Sequence, residues 1–171
     1  MSLSIRFYGD QILREKAQPV ENIDGKIVKL LSDMRETMHA ASGVGLAGNQ
    51  IGVPLQLIAV INPETGEDLL LINPRIQSLG EEKEVEEEGC LSFPQIFSKV
   101  ERPRKATVEA FTPSGKEIVI EAEGFLARIL QHEIDHLQGI LFIDRLSPRR
   151  RLLVAGKLRK INSYGREDAN R

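Results

Sequence analysis

The stretch Gln131-His132-Glu133-Ile134-Asp135-His136-Leu137-Gln138-Gly139 decides how the rest of the chain is read. It lies in an apolar, helix-forming context that begins near Gly124. Residues four apart share a helical face, so the rings of His132 and His136 can converge on one ion. Glu133 is rotated from them by about 100 degrees on a helix of 3.6 residues per turn. That places it beside the ion without making it an obvious ligand, where a proton-transfer group belongs. Gly139 can end the helix. Chance also produces two surface histidines four apart, and motifs this short have false positives. The chain has only three histidines, however, and two of them are here.

With 171 residues, the chain suits one domain with a real core. Its 41% hydrophobic and 28% charged content reads as soluble and globular. No apolar run approaches the roughly 20 residues of a membrane span. Met1 to Asp10 lacks the pattern of a secretory signal. The single cysteine, Cys90, cannot form an internal disulfide, which fits a reducing cytoplasm. Charge is uneven. From Ser147 onward there are eight basic and two acidic residues, a net +6. With -2 for the whole chain, the remainder carries -8.

Tyr8 to Val20 reads as a short helical turn and a covering arm. From Asp24 the pattern is helical, with Ile27, Leu30, Leu31, Met34 and Met38 on one stripe. The two methionines read as core, and His39 as a solvated surface residue. Gly43 to Gly52 holds four glycines, which permit an unusual backbone path or a close approach to a ligand. Its spacing is not a dinucleotide fingerprint. A plain hairpin or loop accounts for it equally well. Gln50 is the residue there whose side chain suits an oxyanion or carbonyl.

Leu55 to Ile61 and Leu69 to Ile72 read as strands about the turn Asn62 to Gly66, with Asn73-Pro74 ending the second. The glutamate-rich run Glu81 to Glu88 reads as a solvated face, Glu88 excepted because Gly89-Cys90-Leu91-Ser92 follows. Val100 to Phe111 and Glu117 to Glu121 flank a hairpin turn at Thr112 to Gly115. In the helix from Gly124, Phe125 and Ile129 continue the line of His132 and His136. Ser147-Pro148 starts a last helix, capped by Ser147 and carrying Leu152, Leu153, Leu158 and Ile161. From Ser163 the chain reads as frayed. Strands in hairpins and helices far apart predict an α+β fold, with antiparallel sheets and hairpins packed around a central metal-binding helix and a C-terminal helix. Residues 1–147 are expected to carry the metallohydrolase. Residues 148–171 are expected to form the basic helix and tail of the same domain.

A catalytic metal site needs three protein ligands and an open position. His132 and His136 supply two, and Cys90 is the obvious third. A lone cysteine is more often a small buried hydrophobe, but Gly89 beside it permits a tight backbone approach. Glu88, Arg102 and Asp135 flank the ligands and are expected to form an ion-pair network tying the metal helix to the Cys90 strand.

Three segments together resemble the motifs of the peptide deformylase family: Gly43-Val44-Gly45-Leu46-Ala47-Gly48-Asn49-Gln50, Glu88-Gly89-Cys90-Leu91-Ser92 and Gln131 to Gly139. The family usually has Ala-Ala where this chain has Ala47-Gly48. The missing methyl is expected to loosen that loop without removing a catalytic atom. The resemblance implies hydrolysis of the formyl group from N-terminal formyl-methionine of new polypeptides. It also implies one divalent ion, ferrous iron as a rule, with zinc, nickel or cobalt able to replace it. Donor type alone suggests zinc. The implied roles are Cys90, His132 and His136 as ligands, Glu133 as acid-base, and Gln50 with the Leu91 N–H as oxyanion donors. The peptide would lie beside Gly43, Val44, Gly45 and Gly89, and its methionine side chain would reach Phe125 and Ile129. The ribosome is an expected partner of the basic tail.

Two other readings use the same residues. A zincin-type endopeptidase also has His-Glu-x-x-His, but normally has a third ligand downstream, and no histidine follows His136. A structural metal module would want four protein ligands and more cysteine.

Overall fold

A computed structural model describes residues 2–168, with side chains as far as Ile161. Three helices and seven strands follow in order: α1 Gly25–Ala40, β1 Gly45–Ala47, β2 Leu57–Ile61, β3 Asp68–Leu79, β4 Lys83–Cys90, β5 Phe93–Pro103, β6 Lys105–Phe111, β7 Glu117–Glu123, α2 Gly124–Leu137 and α3 Pro148–Asp168. An antiparallel sheet in the order β1-β2-β3-β6-β7 faces a separate β4-β5 hairpin. The α+β reading therefore holds, including the central helix.

That helix is α2. Every residue from Leu126 to Leu137 is buried. Ala127, Leu130, Ile134 and Leu137 pack on Ile58, Val60, Val108 and Ala110 of the large sheet. Most of its polar residues turn instead towards the β4-β5 hairpin, while Glu133 lies against Gly45 of β1. A helix buried all round has to pair its polar groups inside the protein. Here that requirement brings the ligand histidines and their supporting charges together. The N-terminal arm runs across the same region. A 3-10 turn at Gln11–Arg14 follows Asp10, whose side chain accepts from Ile12 N–H at 3.1 Å. Leu13, Ala17 and Val20 of this arm are buried.

α1 begins where Asp24 accepts from the backbone N–H groups of Lys26 and Ile27, both at 3.0 Å. Leu31, Met34 and Met38 are fully buried, and Ile27 and Leu30 pack beside them, so the stripe is as read. His39 is exposed but not merely solvated. Its Nε2 lies 2.9 and 3.0 Å from the two carboxylate oxygens of Asp68.

Asn73-Pro74 does not end the second strand, because β3 runs on to Leu79 across a bulge. Asn73 takes φ +50°, and its amide donates to Val20 O (2.9 Å) and accepts from Val20 N–H (2.8 Å). The side chain thus supplies the pairing that the backbone gives up at the bulge. The run Val100 to Phe111 is two strands in different sheets, divided after Pro103. The glutamate run is β4, with only Glu88 buried among its acids.

Ser147 caps α3, its Oγ accepting from Arg150 N–H at 3.4 Å. The docking stripe differs from expectation. Leu152 and Leu153 are 76% and 75% exposed, while Val154 and Leu158 are buried against a cluster containing Phe93, Val100 and Phe142. Ile161 packs at its edge. The backbone stays helical past Ser163, to Asp168. Among the described residues no helix is long and apolar enough to cross a membrane.

Candidate metal centre and active site

Cys90 closes β4 where its pairing with β5 shifts register, and Leu91-Ser92 turn the chain back. This irregular end aims the sulfur at α2. Cys90 Sγ lies 3.3 Å from His136 Nε2. The ligand atoms of Cys90, His132 and His136 all lie within 4.8 Å of one another. Bond lengths of about 2.3 Å to sulfur and 2.0–2.1 Å to nitrogen in a tetrahedron set a sulfur–nitrogen edge of about 3.6 Å. Three donors this close, with one pair at 3.3 Å, are within reach of a single ion, and three protein ligands would leave a fourth position for water or substrate.

The electrostatics also suit a cation. Burial opposes charge on His132, but the hydrogen bonds and charges of Cys90, Glu88 and Glu133 outweigh it and raise its pKa well above the usual value. Surroundings that favour a proton at that point favour a metal ion equally. Burial and the neighbouring His132 hold His136 well below the usual value, hence neutral and able to ligate. His132 Nδ1 lies 3.1 Å from Glu88 Oε2, which leaves Nε2 as the ring nitrogen available to a metal ion.

Glu88 is the hub of a buried network. Arg102 binds both of its oxygens, through Nε to Oε1 and through Nη2 to Oε2 at 3.0 Å. Arg102 Nη1 also donates to Asp135 at 2.9 Å, which joins β5 to α2 as expected. The structure adds two arginines. Arg128 Nη1 donates to Glu88 Oε1 at 3.0 Å, and Arg145 Nη2 to Asp135 Oδ1 at 2.7 Å. Burial alone would raise the Glu88 pKa. The bonds and charges of His132 and Arg102 overcome this and hold it down to about 2.

Glu133 is buried in the same cavity, and its Oε2 has no hydrogen-bond partner. Burial, reinforced by the charges of Glu88 and Asp135, raises its pKa to about 7 against the pull of His132 and Arg102. An unpartnered carboxyl with that pKa can accept and return a proton near neutral pH.

Gln50 comes from a 3-10 turn, Gly48–Ile51, directly after β1. Its Oε1 accepts from Ala47 N–H at 2.9 Å. Its Nε2 donates to Ser92 Oγ at 3.1 Å and lies 3.4 Å from Cys90 Sγ. The amide is thereby locked with its donor end at the site. Gly43 to Gly52 is thus neither hairpin nor plain loop but a short strand and a 3-10 turn. Gly48 does not loosen it. A Cβ there would meet Leu55 O at 2.5 Å and Val53 O at 2.6 Å, so in this chain the missing methyl is what lets the segment close.

A cavity of about 510 Å³ joins these groups. Gln50, Cys90, His132 and Glu133 reach it from one side. Gly43, Val44, Gly45, Gly89 and Leu91 line its edges. Ile129 is buried in its wall, whereas Phe125 is half-exposed at the rim. His136 is fully buried and is not part of the lining. Sequence reasoning missed Ser92, Arg128, Arg145 and the exposed Phe97, which packs over Gly89 at the rim. Arg128 did carry a signal, since it stands four residues before His132 on one helix.

The polypeptide deformylase family model matches residues 2–152. Peptide deformylase of Rhizobium meliloti is 49% identical over 154 residues, 88% of each chain. That of Natranaerobius thermophilus is 50% identical over 143 residues, 82% of this chain and 90% of the relative. The crystal structure of the Thermus thermophilus enzyme superposes with TM-score 0.89 at 40% identity, covering 96% of this chain and 99% of that one. The Legionella pneumophila structure gives 0.87 at 41%, covering 100% and 99%. The chain belongs to the polypeptide deformylase family.

Proposed function

We infer that this chain hydrolyses the formyl group from the N-terminal formyl-methionine of newly made polypeptides and releases formate. The observation that carries the site assignment is the Cys90, His132 and His136 cluster, two of whose members line the cavity that also holds the unpartnered Glu133 carboxyl. In this reading those three residues hold one divalent ion, ferrous iron by family likeness, with zinc, nickel or cobalt able to take its place. When bound, the ion supplies Lewis acidity that polarises a carbonyl oxygen and acidifies water near neutral pH.

The remaining work falls to the chain's own groups. Glu133 takes a proton from the attacking water and delivers it to the amine as the carbon–nitrogen bond breaks. The Gln50 amide, fixed by Ala47 and Ser92, donates to the oxygen on which charge develops, together with the Leu91 N–H. Gly43, Val44, Gly45 and Gly89 flank the extended peptide. Phe125 and Ile129 receive the methionine side chain. Residues 1–147 carry this machinery, and 148–171 form the C-terminal helix and tail of the same domain. The net +6 of that segment, and its exposed Arg149, Lys157 and Lys160, support contact with ribosomal RNA while the nascent chain emerges. In this reading the protein works in the cytoplasm.

The test is formate release from a formyl-methionyl peptide. Release from that substrate, with no cleavage of the unformylated peptide, is expected. Internal peptide cleavage would point to an endopeptidase, and metal binding without turnover to a structural module.

A further inference from the structure

Arg128 is buried on α2, one helical turn before His132. It lines the cavity, yet its hydrogen bonds go to Glu88 and to the backbone of the β4-β5 hairpin. Nη1 donates to Glu88 Oε1 (3.0 Å) and Val100 O (2.9 Å), and Nη2 donates to Glu84 O (3.0 Å). One guanidinium thus ties the metal helix to both strands of the β4-β5 hairpin and to the carboxylate that orients His132. With Arg128 present, each Glu88 oxygen has two partners. Oε1 takes Arg102 Nε and Arg128 Nη1, while Oε2 takes Arg102 Nη2 and His132 Nδ1. A carboxylate bonded on both edges has one orientation. Without Arg128, Oε1 keeps a single partner, and the hairpin loses two further bonds to α2, at Glu84 O and Val100 O. Arg102 also ties the hairpin to α2, through Asp135, so Arg128 is a second tie, made at Glu84 O and Val100 O and on the other side of Glu88 Oε1.

We propose that Arg128 is a positioning residue for the metal site, fixing the Glu88 carboxylate and through it the His132 ring, and holding α2 against the strand that carries Cys90. This rests on Cys90, His132 and His136 being the ligands. A ligand's hydrogen-bonded partners typically matter 10–100-fold for metal affinity, and Arg128 acts on one such partner.

The experiment measures zinc affinity in competition with a chromophoric chelator, and kcat and KM on a formyl-methionyl peptide, for the unaltered chain and Arg128→Met. The expected result is zinc affinity lowered by about tenfold or more, with kcat falling and KM nearly unchanged. Arg128→Lys keeps a cation able to reach Glu88 and should recover most of the affinity. If Arg128→Met does not fold, Arg128→Gln carries the same expectation, since its amide can serve one of the freed carbonyls while Glu88 loses the charge. Zinc affinity within twofold of the unaltered chain overturns the proposal, even if thermal stability drops. A rise in KM alone also overturns it, by making Arg128 only a wall of the cavity. A lysine variant as weak as the methionine variant overturns it too, by assigning the effect to lost packing. If the unaltered chain bound no zinc, the ligand assignment would fall first and take this proposal with it.

Discussion

Glu133 lies so close to Gly45 that a Cβ on Gly45 would stand 2.2 Å from its Oε1 and 2.9 Å from its Cγ. The backbone of β1 is thus the wall against which the carboxyl is held. Gly45→Ala should displace the whole Glu133 side chain, since no rotation of its end clears both atoms. Turnover is expected to fall by about 10²–10⁴, the range for a positioned acid-base group. Zinc content, read by metal analysis, should stay near one per chain, and loss of metal would refute the explanation.

Glu133→Gln removes the proton-transfer group with almost no change of shape. Turnover should drop by about 10²–10⁴ while the metal is retained. An empty site in that variant would make Glu133 a ligand and sink the role assigned to it.

The family usually has alanine where this chain has Gly48. Here a methyl at that position collides with two backbone carbonyls rather than with a mobile side chain end. Overpacking of this kind typically costs about 1–3 kcal/mol. Gly48→Ala should therefore lower the thermal midpoint, and an unchanged midpoint would show that the Val53 to Leu55 segment yields easily.

These residues mark what the sequence makes legible. The spacing of His132 and His136 and the apolar context of α2 are local, and both are read directly. The α1 stripe is local too. The Asn73 bulge is not legible, because Asn-Pro signals a turn by itself, and the partner that overrides it, Val20, lies 53 residues away. Glu88 stands in a run that reads as solvated, but its place before Gly89-Cys90 sets it apart, and its expected network with Arg102 and Asp135 is present. The contributions of Arg128 and Arg145 are not legible, since their partners lie far along the chain or across the fold. The stripe expected on α3 is right at Leu158 and Ile161 and wrong at Leu152 and Leu153. Val154, Leu158 and Ile161 recur at intervals of four and three, but the adjacent Leu152-Leu153 pair hides Val154.

A pH test separates support of the fold from catalysis. Asp144 binds Arg14 (Nη1 at 2.5 Å, Nη2 at 3.1 Å) and accepts from Leu141 N–H at 2.9 Å. Burial alone would raise its pKa, but these bonds and the charges of Arg14 and Arg151 hold it below the ordinary 3.8. A carboxyl depressed in the folded state stabilises fully above its unfolded value and loses that contribution as pH falls through the folded one. Asp144→Asn should therefore cost stability at pH 7, by about 1 kcal/mol for so exposed a pair. The deficit should shrink as pH falls below 3.8. A deficit constant from pH 7 to pH 2 would show that charge is not its source.

The two faces of α3 should respond in opposite ways. Val154 and Leu158 fill a cluster with Phe93 and Phe142, and Phe142 stacks on the ring of His132 with centroids 6.0 Å apart. Leu158→Ala should cost about 2–4 kcal/mol, and deleting everything after Ser147 should damage the domain rather than spare it. Leu153→Ala, at 75% exposure, should leave stability within about 0.5 kcal/mol. The exposed basic face is the part available to a polyanion. Changing Arg149, Lys157 and Lys160 together to glutamine should weaken ribosome binding and flatten its dependence on salt, without changing hydrolysis of a short formyl peptide. Ribosome affinity equal to that of the unaltered chain at every salt concentration would leave α3 with a structural role alone.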